Sequence, residues 1–254
     1  MTIASIRNVL CFHNSVATTL PIGRIKFPGR LGSNFDLFRH DVVSTMLAWS
    51  RDMARRIVIV GNGSFSRGQA RAIDNSDLVV RFNGCRSVGE GGLRTDIVSV
   101  CNTGRPAAAM IGEATWRNSP AVMSAAEIWC VREASKFAEI KPALAIQYPE
   151  LGDFCDDYTE SFASFATNTG KSFAVIPRRY HDLLDLELRG LMPGAYVVPS
   201  SGLITIAYVI GEVAAPGDQV LLAGFSHQGW DGHPFDAERG FVDRLIAQEQ
   251  LRRL

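Results

Sequence analysis

The stretch RRIVIVGNGSFSRGQARAIDNSDLVVRFN, from Arg55 to Asn83, decides the fold. Ile57 to Val60 is an unbroken β-branched run between a charged pair and Gly61, the pattern of a parallel strand covered on both faces. Gly61-Asn62-Gly63 must then turn, a short helix follows, and a second strand ends in Arg81-Phe82-Asn83. Two readings of the turn stand side by side. Glycines there allow positive φ or close backbone approach, and with Ser64 or Ser66 capping the next helix the turn would offer amide donors to a phosphate. An ordinary structural strand-turn explains the same residues. The dinucleotide fingerprint is incomplete, because Ser66 stands where the third glycine belongs and Gly68 comes two residues late.

Further strand signals lie at Ile97–Val100, Ala126–Val131, Phe173–Ile176, Tyr196–Val198 and Val220–Ala223, with a short uncertain one at Leu144–Ile146. Helical patterns fall at Phe154–Phe165, His181–Leu188, Leu203–Val213 and from about Asp236 to the end. Strands alternating with helices predict a single α/β, Rossmann-like domain with a mostly parallel sheet flanked by helices. In such sheets ligands collect beyond the carboxyl ends of the strands, so Gly61, Asn62, Gly63, Asn83 and Asn102 are expected around one crevice. His181, beside Asp182, is read as a solvated helix-surface residue.

The 254 residues, 46% of them hydrophobic, suffice for one large domain or two small ones. Net charge is zero, which speaks against a nucleic-acid surface. Residues 1–50 carry five basic side chains against two acidic ones, without a sustained period. Residues 1–54 therefore read as an N-terminal extension, poorly ordered or non-native, since Met53 could open the domain at 55–254. The five cysteines are odd in number and lack C-x-x-C, which argues against zinc or a disulfide framework. No apolar run approaches the ~18 residues of a membrane span, and a soluble, cytoplasmic protein is expected.

His227 and His233 sit in a glycine-punctuated loop after the last strand signal, where an imidazole can take a proton near neutral pH. A metal would need a third ligand from Asp231 or Asp236, and no recognised ligand spacing is present. Three segments together resemble the sialyl motifs of the sialyltransferase family, glycosyltransferase family 29, in its bacterial form. They are VIVGNG with I-D-x-x-D-x-V-x-R-F-N, then PSSGLITIAYVI with DQVLLAGF, and last H-x-x-x-x-E from His233 to Glu238. The secretory members' disulfide has no counterpart, since Ile57 and Gly217 occupy the cysteine positions.

That resemblance implies a GT-A-like variant of the fold and inverting, metal-independent transfer of sialic acid or Kdo from a CMP-activated donor to a glycan hydroxyl, without a cofactor. It implies that Asn62 and Asn83 contact the nucleotide, that Ser200, Ser201 and Gly202 hold the sugar carboxylate or cytidine, that His233 is the general base, and that His227 meets the donor phosphate. Asp77, Arg81 and Glu238 would be structural supports. Two other classes remain open: an accessory protein that keeps the nucleotide pocket without turnover, and a Rossmann-like NAD or S-adenosylmethionine enzyme.

Overall fold

The computed structural model describes residues 54–192 and 194–254. The expectations for residues 1–53 lie outside the described residues. Seven parallel strands form one sheet: β1 (Arg56–Val60), β2 (Leu78–Phe82), β3 (Ile97–Val100), β4 (Glu127–Cys130), β5 (Ser172–Val175), β6 (Gln219–Ala223) and β7 (Arg252–Arg253). Their order is β5-β4-β3-β2-β1-β6-β7. This is a single α/β domain of Rossmann-like form.

Side chains alternate across β1, and each set has its own helical layer. Ile57 and Ile59 face a cluster containing Leu184, Leu188, Leu203, Ile206 and Phe241. These come from α7 (Arg178–Arg189), α8 (Ser201–Tyr208, prolonged by a π-helical turn Val209–Val213) and α9 (Phe235–Ala247). Val58 and Val60 face Ile73 of α1 (Gln69–Asp74) on the other side. Beyond them, β3 and β4 pack on Trp116 and Phe162, carried by α3 (Ala114–Arg117) and α6 (Thr159–Asn168). Two-sided cover explains the unbroken apolar runs, each buried Val or Ile contributing about 1.5–3 kcal/mol.

The lower end of the sheet is tied by charge. Asp77 Oδ2 accepts from Arg56 N at 2.7 Å, and Asp218 accepts from Arg55 through backbone and guanidinium. Arg81 is wholly buried and donates to Arg94 O, Ser87 Oγ and Gly91 O, which pins the glycine-rich loop after β2.

Several local expectations are corrected. Leu144–Ile146 belongs to α5 (Ala134–Gln147), and Tyr196–Val198 joins no strand. Phe154 precedes the helix at Thr159–Asn168. The chain does not end in helix, because β7 adds a parallel edge to β6. His181 is 3% exposed, its Nε2 bonded to Val131 O at 2.9 Å. Burial holds that imidazole down to about 4.

Candidate functional site

Strand order reverses between β1 and β6, and the crevice beyond their carboxyl ends is the topological switch point. There the two chain segments stay close. Gly61 N donates to Ala223 O and Gly63 N to Gly224 O, both at 2.8 Å. A Cβ at Gly63 would lie 2.8 Å from Gly224 O, and one at Gly61 would clash with the same atom. The glycines are therefore required by strand approach, and their two amides are already engaged; the expected phosphate cradle is not formed by them. Nor do serines cap α1: its N-cap is Gly68 at φ 91°, and Ser66 N donates to Gln69 Oε1.

The second wall is the start of α8. Ser200 is its N-cap, with Oγ accepting from Leu203 N at 3.2 Å. The same hydroxyl donates to Glu238 Oε2, and Ser200 N to Glu238 Oε1, both at 2.6 Å. Glu238 is 2% exposed. Burial pushes its carboxyl above the ordinary range, against the pull of the two Ser200 donors. Ser200 is thus fully engaged, while Ser201 and Gly202 supply the first-turn amides that no preceding helical turn accepts from.

The third wall is the loop after β6. His233 Nδ1 bonds Val198 O at 2.8 Å, which assigns the proton to Nδ1 and leaves Nε2 as the acceptor of a neutral ring. Burial first, and Arg132 after it, hold this imidazole down to about 4. Trp230 and Phe235 meet the ring edge-on. His227 adopts a left-handed φ of 51°, uncommon without glycine. Its proton affinity is lowered by burial and by Arg253.

These walls enclose a polar cavity of about 310 Å³, lined by Gly61, Asn62, Gly63, Asn83, Ser200, Ser201, Gly202, His227, His233 and Glu238, with exposed Arg86 at the rim. An apolar lobe of about 360 Å³ adjoins it, sharing Asn83, Ser201 and His233. Asn83 is braced from behind, its Oδ1 accepting from Cys101 N and its carbonyl from Trp116 Nε1.

Asn102 is not at the site. It is fully buried and clips the ends of β3 and β4 together, donating to Arg132 O and Thr159 Oγ1 and accepting from Arg132 N. Asp77 and Arg81 also lie away from both cavities, in the bracing roles described above. Arg132 and Trp230, which line the apolar lobe beside Phe154, were not singled out from sequence. The strand-end rule that marked Asn83 and Asn102 also reaches Arg132, two residues beyond β4. Among the described residues, no three His, Cys, Asp or Glu side chains gather as a metal site. No helix among them is long and apolar enough to cross a membrane.

No family model matches the chain. The urease operon 23 kDa accessory protein of Rhizobium meliloti (strain 1021) is 54% identical over 200 residues, covering 79% of this chain and 93% of that protein. This relative overturns the sialyltransferase reading. With it go the CMP-activated acid sugar and glycan as partners, the glycosyl-transfer roles of His233 and His227, and the nucleotide-pocket and NAD or S-adenosylmethionine alternatives.

The motif residues that carried the resemblance have structural reasons to be where they are: Gly61 and Gly63 meet Gly224 O, Asp77 holds Arg56 N, and Glu238 holds Ser200. By its similarity over most of both sequences, the chain belongs to the family of the urease operon 23 kDa accessory protein.

Proposed function

We propose that this chain is a cytoplasmic accessory protein in the service of urease, and that the switch-point crevice is where it binds a small polar ligand in that role. The observation that carries the reading is the 54% identity to a urease operon accessory protein over 93% of that protein's length. The crevice supports it with chemistry suited to binding. Ser201 and Gly202 present helix-N-terminal donors that favour a negative group, Asn62 and Asn83 stand opposite, and His233 offers an acceptor nitrogen. Three buried cysteines without disulfides agree with a reducing compartment.

The test is genetic. In a urease-positive host, deleting the gene for this chain is expected to lower urease activity per unit of urease protein, with recovery on re-expression. Equal specific activity with and without the gene overturns the proposal.

A further inference from the structure

Arg132 follows β4 and is 3% exposed. Its Nε and Nη1 are buried without a hydrogen-bond partner, and no ion pair among the described residues includes it. Its guanidinium lies over the rings of Phe137 and Phe154, 4.7 and 4.8 Å from their centroids. A buried guanidinium without a counter-charge is unfavourable, and ring faces return only a part of that loss. The same side chain lines the apolar lobe. So does Thr103, 3% exposed, whose Oγ1 is also buried and unpartnered.

We propose that the apolar lobe is a binding site for a small carboxylic acid with a flat apolar body, its carboxylate received by Arg132 and Thr103 and its body lying against the wall of Leu151, Phe154 and Trp230. Guanidinium presents parallel N–H donors to two carboxylate oxygens, and Thr103 adds a third donor. One cation and one hydroxyl match a single negative charge. A phosphate monoester carries close to two and would find one cation too few, because Arg105, also at the lobe, is held by Asp153 at 2.7 Å. Phe154 and Trp230 contact each other at 5.6 Å between centroids, tilted by 33°, and a planar body suits the wall they make. A cavity of about 360 Å³ holds a ligand larger than benzoate. The shared Asn83, Ser201 and His233 put this site in continuity with the polar cavity. The inference stands on Arg132 and Thr103 and does not depend on the urease reading.

The test is calorimetric titration of the full chain with benzoate, its neutral isostere benzamide, and inorganic phosphate, paired with thermal melts. Benzoate is expected to bind at least tenfold more tightly than benzamide, and phosphate not to compete with it. Arg132→Met, which keeps the apolar stem, should lose benzoate binding while melting no lower than wild type, because it removes a buried charge that lacks a partner. A merely structural arginine would show the reverse, a lower melting temperature with binding unchanged. Arg132→Lys, which keeps the charge but not the fork, and Thr103→Val should each weaken benzoate several-fold, and they decide the matter if Arg132→Met does not fold. Equal affinity for benzoate and benzamide, undiminished binding by the arginine variants, or no benzoate binding at millimolar concentration overturns the proposal.

Discussion

Glu238 accepts both polar hydrogens of Ser200, from N and from Oγ, at 2.6 Å each, and so fastens the start of α8 to the first turn of α9. The pair is part-buried, with Glu238 itself 2% exposed, and spans 38 residues of sequence. Removing the carboxylate leaves two donors unsatisfied, so Glu238→Ala should cost about 2–3 kcal/mol. Denaturant titration reads this directly; an unchanged midpoint at unchanged slope would mean that the clamp contributes nothing.

Gly61 and Gly112 make opposite predictions for the same substitution. A methyl group at Gly61 runs into the backbone of Gly224, which cannot rotate away. Gly61→Ala should therefore destabilise by about 1–3 kcal/mol or more, or prevent folding. Gly112 ends α2 (Gly104–Gly112) with nothing within 4 Å of the added Cβ. Gly112→Ala should stabilise by ~0.4–1 kcal/mol through the unfolded chain. Thermal melts of the two variants should move in opposite directions.

His181 and His233 make the fold sensitive to acid. Both are held down to about 4 from an ordinary 6.5, first of all by burial. A depressed imidazole contributes stability that is present above 6.5 and is lost as pH falls toward 4. Every tenfold loss of proton affinity on folding is worth about 1.4 kcal/mol. Glu238, whose carboxyl is raised, acts in the opposite sense, its contribution lost as pH rises through its raised value. His227, also lowered by burial, adds to these two, so three histidines against one raised carboxyl leave the net slope with the histidines. Unfolding free energy should drop between pH 6.5 and 4, and His181→Gln should flatten that slope. A flat wild-type profile over this window would contradict the burial of both rings.

How far the chain could be read from its residues followed from where each signal lives. β1 and β6 are apolar runs buried on two faces, β2 and β3 are such runs broken only by buried Arg81 and Ser99, and that pattern is local. β7 is formed by exposed Arg252 and Arg253 and exists only because Leu221 and Leu222 offer it a free edge. Helix α5 buries only Phe137 and Leu144 and contains Pro142, so it shows little amphipathic stripe. His181 shares a helical face with Leu184 and Leu188, three and seven positions on. Its neighbour Asp182 drew attention to the wrong side.

At the crevice, the strand-end rule located Asn62 and Asn83 through topology alone. It could not tell a lining residue from a clip, and Asn102 is the clip. Arg132 is reached by the same strand-end rule, but nothing local marks its side chain, because Phe137, Phe154 and Asn102, which define its surroundings, come from separate segments. The three motifs misdirected the functional reading because their residues also serve strand closure and helix bracing, needs that any protein with this sheet end would share.

Whether urease support runs through the switch-point crevice, as proposed, is decided by urease activity per unit of urease protein in a host deleted for this chain and re-expressing wild type, Asn62→Ala, His233→Ala or the exposed-surface control Ile146→Ala. With expression and melting temperature checked for each, wild type and the control should restore activity, and the two crevice variants should fall at least severalfold short. Full recovery by folded Asn62→Ala and His233→Ala would contradict the proposal.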